Sequence, residues 1–349
     1  MADLLIHVVV FMAATVIAHL ASRYPWNPRT RVREATLGGY PCGVTPPADS
    51  LKPDDAAVPP ALRDAILAWY AANGRPLAFR RTTDPYAVLV SELMAQQTQA
   101  ERAAEAWERW IARWPTASAL AEAPVAEVLR AWAGLGYNRR ALALHRAAKA
   151  IVAQHGGAVP ASVEALQALP GVGAYTARAV AALAFGQRVG AVDVNVRRVL
   201  GRIAAGGADG FTAASMQVLA DAVVPHDAAG WTHALMDIGA TLCKPRDPAC
   251  ASCPAARWCR YAAGDRPASA VETPAERHVA PAFEATTRWL RGRILARARD
   301  AADGEWVRYG EPMGTHGAHA VREAVTAMAA EGLLEARDTT DGPHARLPQ

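Results

Sequence analysis

Cysteine is scarce in this chain: there are five in 349 residues, and four of them, Cys243, Cys250, Cys253 and Cys259, crowd into one short stretch while Cys42 stands alone. A disulfide framework spreads its cysteines through a secreted chain, so the crowding argues for metal ligation in a reducing compartment. Strand-like alternation of polar and apolar residues is scarce too, which leaves a mainly α fold. A strong charge of either sign is also missing. The balance of 37 Lys+Arg against 33 Asp+Glu, +4 at neutral pH, permits a polyanionic partner but is too mild to imply one.

What is present is ordinary for a globular protein: 52% apolar and 20% charged residues. The length suffices for a full core and suggests two or three domains. Leu4 to Ala21 is nearly continuously apolar, broken by His7, Thr15 and His19, and approaches a membrane span in length. No basic residue precedes it and no clear small-residue cleavage site follows. The run reads either as a signal or anchor or, as preferred, as an N-terminal extension with no membrane partner.

Trp26 to Pro60 is rich in Pro, Gly, Asp and Arg without a hydrophobic period, so residues 1–59 are set apart as apolar segment and linker. Amphipathic helical patterns then run over Ala61–Ala72, Pro85–Gln97, Ala100–Trp114, Val125–Gly134, Arg139–His155, Val163–Leu169, Ala174–Phe185 and Asn195–Ala204. They define a helical domain over 60–264. Prolines and charges make 265–282 a second linker, and 283–349 a small module with helices at Phe283–Ala301 and Ala318–Glu331 and a polar tail from Glu335. That module resembles a winged helix, which leaves it either a DNA-contacting wing or a packing cap.

Three motifs carry chemistry. In Leu169-Pro170-Gly171-Val172-Gly173-Ala174-Tyr175, two glycines allow a tight turn between helices and close approach of backbone to a partner. The helix that follows offers unpaired N–H groups and a positive dipole end to a phosphate. The cysteine spacing, Cys243-x6-Cys250-x2-Cys253-x5-Cys259, suits four-thiolate ligation of zinc or of an iron-sulfur cluster. Glu92 lies beside Leu89 and Leu93 on a helix, where partial burial would raise its pKa and keep it protonated near neutrality.

The hairpin, followed by Val192-Asp193-Val194-Asn195-Val196-Arg197-Arg198, resembles the helix-hairpin-helix glycosylases that include endonuclease III. The segment from Asp84 to Gln99, with Ser91-Glu92 and Gln96-Gln97-Thr98, resembles the MutY-type adenine glycosylases among them. The resemblance spans about Pro60 to Tyr261. It implies an all-α, two-lobed fold, a structural 4Fe-4S cluster on the four cysteines, and a double-stranded DNA partner carrying adenine mispaired with 8-oxoguanine or guanine. It further implies a monomer acting in the cytoplasm at the nucleoid.

Carried over residue by residue, the resemblance makes Glu92 the proton donor and Asp193 the carboxylate that stabilises the sugar cation. Tyr175 occupies the position of the Schiff-base lysine of bifunctional relatives, which implies a monofunctional enzyme using water. Gln97 and Tyr137 fall at DNA-wedging positions, Thr98 at a DNA-binding position, Gly171 and Gly173 at the phosphate grip, and Arg75 and Arg80 at the pocket side. Leu77-Ala78-Phe79-Arg80 and Asn138 depart from the family's usual Leu-Pro-Trp-Arg and second aromatic. Tyrosine at the lysine position also occurs in thymine mismatch glycosylases, the rival reading. A non-enzymatic DNA-binding scaffold is a further alternative, against which the two carboxylates speak. The C-terminal module does not look like the domain that reads 8-oxoguanine in well-known relatives.

Overall fold

A computed structural model describes residues 58–266 and 281–349. The apolar run at 4–21 and most of the two linkers lie outside the described residues. Among the described residues, no helix is long and apolar enough to cross a membrane.

The helices form where the sequence supplies both an apolar pattern and a start signal. Helix α1 (Pro60–Asn73) opens on a proline, whose missing N–H is harmless in a first turn. In α2 (Pro85–Ala95) the Asp84 side chain accepts from the Ala87 N–H at 2.8 Å, and Tyr86 to Met94 are all buried. A helix apolar on every side belongs inside a core, and this one carries Glu92. Then follow α3 (Ala100–Arg113), α4 (Ala117–Glu122), α5 (Val125–Ala131), α6 (Arg139–His155) and α7 (Val163–Gln167). Helix α8 (Ala174–Phe185) runs from Gly173 to Gly186, which takes the left-handed conformation that ends helices.

The second set comprises α9 (Val194–Ala205), α10 (Ala213–Ala222), α11 (Ala228–Asp237), a π-helical turn over Ile238–Leu242, and α12 (Arg260–Ala263) after the cysteines. Two hydrophobic cores result. One gathers side chains from α2 to α8, with Trp110, Trp132, Leu89, Leu93, Leu129 and Leu144 fully buried. The other gathers α1 with α9 to α11 around Leu62, Ile66, Met216, Trp231 and Leu235. The expected two-lobed helical architecture is thus present, and Asp193 lies where the chain crosses from one lobe to the other.

The C-terminal module comprises α13 (Thr287–Asp300), β1 (Val307–Arg308), α14 (Ala318–Ala330), β2 (Glu335–Thr339) and β3 (Gly342–Arg346). The strands form an antiparallel sheet ordered β1-β3-β2, with Ala345 paired to both Val307 and Ala336. Two corrections follow for this region. The polar tail is a β-hairpin, because Pro343, Ala345 and Leu347 alternate inward. The expected helix from Phe283 begins at Thr287, where the Thr286 hydroxyl accepts from the Trp289 N–H.

The module shares one core with the first lobe: Leu290, Ile294, Leu295, Tyr309, Val321 and Leu347 belong to the same buried cluster as Trp132 and Leu142. Arg130 donates to the Arg299 and Ala301 carbonyls, and Arg299 donates to the Leu129 carbonyl and Asn138 Oδ1 at 2.8 Å. Burial among these groups brings the Arg299 guanidinium down to about 10.

Candidate active site

Glu92, on the buried helix α2, is 8% exposed. Burial pushes its carboxyl up to about 7, and the nearby Asp193 carboxylate pushes the same way. The Tyr175 hydroxyl and the Arg80 guanidinium pull against them. Glu92, Asp193, Tyr175 and Arg80 therefore lie close enough to feel one another. Tyr175, in the first turn of α8, also reaches Met236 Sδ at 3.8 Å, and burial and the two carboxylates hold its phenol far above the usual range. It is a neutral donor.

Asp193 caps α9: Oδ1 accepts from the Val196 N–H at 2.7 Å and Oδ2 from the Asn195 amide at 2.9 Å. The cap fixes the carboxylate's direction while its side chain stays only half-buried. Asn195 passes the restraint on. Its Oδ1 accepts from Arg198, whose guanidinium also donates to the Gly239 and Cys243 carbonyls at 2.7 Å. Gly239 lies so close to Asn195 that a Cβ there would come within 2.6 Å of the Asn195 Cβ.

One helical turn later Arg202 grips the same loop, donating to the Lys244 carbonyl at 2.7 Å and the Pro245 carbonyl at 2.9 Å, and lying 3.3 Å from Cys243 Sγ. Its guanidinium stacks over the Tyr261 ring at 4.4 Å. Helix α9 thus joins the cleft carboxylate to the cysteine loop. Cys243, Cys250, Cys253 and Cys259 line one small cavity. Burial pushes the Cys253 thiol up to about 11, and the other three cysteines add to the shift. Among the described residues, no three His, Cys, Asp or Glu side chains gather tightly enough to hold a single metal ion.

At the hairpin, Gly171 has φ of +80° and a Cβ there would strike Ala143 Cβ at 2.6 Å, so glycine is required both for the turn and for space. Gly173 is exposed with open space above it, leaving the start of α8 bare. Gln97 and Tyr137 are both exposed, and both adopt left-handed backbone, with φ of 53° and 44°. A non-glycine residue there stores about 1–3 kcal/mol of strain, which persists only when its surroundings enforce it.

Arg140 does the enforcing. It donates to the carbonyls of Leu93, Met94 and Gln96 on one side and of Leu135 and Gly136 on the other. Its guanidinium also lies over the Tyr137 ring. Thr98, expected at the DNA, is tied inward, accepting from Arg140 at 3.0 Å and lying within reach of the Leu135 carbonyl.

Arg75 and Arg80 both turn to Asp237, which is buried at the end of α11. Asp237 accepts from Arg75 Nε and Arg80 Nη1 at 2.6 Å, from Arg80 Nη2 at 2.8 Å and from the Arg75 N–H at 2.9 Å. Burial alone would raise this carboxyl, but the two arginines hold it below its usual value. Beside them burial takes His233 down to about 3. Sequence reasoning missed Asp237, Arg140, Arg198 and Arg202. The one available signal was Asp237 itself, an acid between Leu235-Met236 and Ile238.

Residues 90–221 match a family described as the HhH-GPD superfamily of base excision DNA repair proteins. The chain is 45% identical over 241 residues to an adenine DNA glycosylase of Mycobacterium tuberculosis, covering 68% of this chain and 78% of that one. It is 43% identical over 222 residues to the human adenine DNA glycosylase, covering 59% of this chain and 40% of the other. Among solved structures, a thermostable thymine-DNA glycosylase superposes with a TM-score of 0.55 at 29% identity, over 60% of this chain and 97% of its own.

Proposed function

The chain belongs to the helix-hairpin-helix superfamily of base excision DNA repair glycosylases, in its adenine-specific MutY-type branch, and from that premise we propose that it is monofunctional and acts on adenine opposite 8-oxoguanine or guanine. The observation that carries the reading is a carboxyl held near pKa 7 in the cleft that also holds Asp193, with a tyrosine in place of an amine. Adenine leaves poorly until N7 is protonated. Glu92 donates that proton, the glycosidic C–N bond breaks with its electron pair going to the base, and the Asp193 carboxylate stabilises the cationic sugar. Water then adds to the anomeric carbon and passes its proton to the Glu92 carboxylate, which restores the acid. Tyr175 has no amine to form a Schiff base.

Extrusion of the base falls to Gln97 and Tyr137, whose strained backbones present them outward, and the hairpin at Gly171 and Gly173 grips a phosphate. Arg75 and Arg80 support the pocket from behind through Asp237. The four cysteines line one small cavity together and would hold the 4Fe-4S cluster that the resemblance implies. Arg202, donating to Cys243 Sγ at 3.3 Å, would stabilise that sulfur as a ligand. The bound cluster would supply rigidity to the loop that α9 grips. Cys253→Ser should lose bound iron and sulfide and lower the melting temperature; full iron content in that variant would remove Cys253 from the ligand set.

The test of function is single-turnover cleavage of duplexes carrying A opposite 8-oxoguanine, A:G, T:G and uracil, with borohydride trapping alongside. Adenine release without a trapped adduct is the expected result. Thymine release instead would move the chain to the activity named for its thymine-DNA glycosylase neighbour.

A further inference from the structure

Helix α13 carries Arg288, Arg291, Arg293, Arg297 and Arg299 with one acid, Asp300, at its last position. One face of it forms a wall of a groove of about 1240 Å³, whose other wall is the loop from Ala133 to Arg140. Gln97 and Tyr137 stand in the same groove. Its arginines differ in how far they are engaged. Arg291 is paired with Glu331 at 2.6 Å, and Arg299 is committed to the Leu129 carbonyl and Asn138. Arg288 lies 4.6 Å over the Tyr137 ring with no carboxylate, and exposed Arg293 has no partner among the described residues. Arg139 is three-quarters exposed and only 3.9 Å from the already paired Glu331. The groove therefore keeps an uncompensated positive charge.

Gly292 adds an independent observation. A glycine inside a helix costs about 1 kcal/mol relative to alanine, and packing does not require this one, since a Cβ there would meet nothing within 4 Å. With Ala296 one turn on, it bares the helix backbone on the groove side, as where a ligand backbone approaches closely.

We propose that this groove binds the sugar-phosphate backbone of duplex DNA beside the extruded base, so that α13 is a second DNA-binding element and Arg288 braces Tyr137 from it. The inference rests on the DNA glycosylase reading. Its size and its spread of arginines fit a run of phosphates rather than a single small anion, and such interactions bind without reading sequence.

The test uses the full chain with Gly292→Glu and Arg293→Glu, binding both a fully paired duplex and one with a tetrahydrofuran abasic site opposite guanine across a salt series. Both variants should weaken both duplexes about tenfold or more, and the slope of log affinity against log salt should fall by roughly one for each phosphate no longer neutralised. Affinity within twofold of the unaltered protein, with an unchanged slope, would overturn the proposal and leave the groove to an acidic protein segment. If the acid at 292 lowers the melting temperature, Arg293→Gln, at an exposed and unpaired position, carries the same test. Adenine release by the unaltered protein on a cleavable duplex is scored separately. Its absence would topple the glycosylase reading while leaving the binding result to stand.

Discussion

Glu92→Gln should reduce single-turnover adenine release by about a thousandfold, within the 10²–10⁴ range of a positioned general acid, while binding to a duplex with an abasic analogue stays intact. Glutamine keeps the shape and cannot give up a proton to N7. The pH dependence identifies the acid. With the Glu92 carboxyl raised to about 7 by burial, the unaltered protein should lose rate as pH climbs through neutrality, and the residual rate of the variant should lack that limb. The linkage to stability has a definite sign. A carboxyl raised from 4.5 to about 7 makes the folded state hold its proton longer than the unfolded one, so stability falls between those two values as pH rises. At pH 8 the variant should accordingly be more stable than the unaltered protein, by on the order of 3 kcal/mol, with no difference below pH 4. A variant that cleaves at the normal rate, or that melts lower at pH 8, would strip Glu92 of this role.

The sequence made the local features of this site legible, because local features repeat on short periods. The helical pattern from Asn195 was legible, and Asp193 just before it caps α9. Gly171 could be read as a turn, and it is one. What could not be read are partnerships across long sequence separations. Arg80 and Asp237 lie 157 residues apart, and Arg198 reaches the Cys243 carbonyl across 45. Arginine after arginine in an α-helical pattern looks like a solvated face, so nothing distinguished Arg140, turned inward to five backbone carbonyls, from its exposed neighbour Arg139. The β-hairpin at the C-terminus was hidden for a different reason. Strand β2 is polar and largely exposed along its length, and only β3 alternates its burial.

The largest effect on stability should come from Asp237→Asn. The side chain of Asp237 is 1% exposed and that of Arg80 7%, and the carboxylate receives Arg75 and Arg80 together. Breaking a buried ion pair by removing one partner costs about 3–5 kcal/mol, because the remaining charge is left uncompensated, and here two guanidiniums would face a neutral amide. A marked fall in melting temperature at neutral pH is the first expected result. Because the arginines hold Asp237 below its usual value, its contribution is present above about pH 3.8 and lost as pH falls through the folded value. The difference from the unaltered protein should therefore shrink in acid. The second consequence reaches the chemistry. Arg80 already lowers the Glu92 carboxyl, and without Asp237 its positive field is unopposed. The alkaline fall in adenine release should then move to lower pH. A merely structural role would change stability and leave that limb in place. Movement of both makes the Arg75-Arg80-Asp237 cluster the device that joins the two lobes behind the cleft and keeps the proton donor loaded at neutral pH.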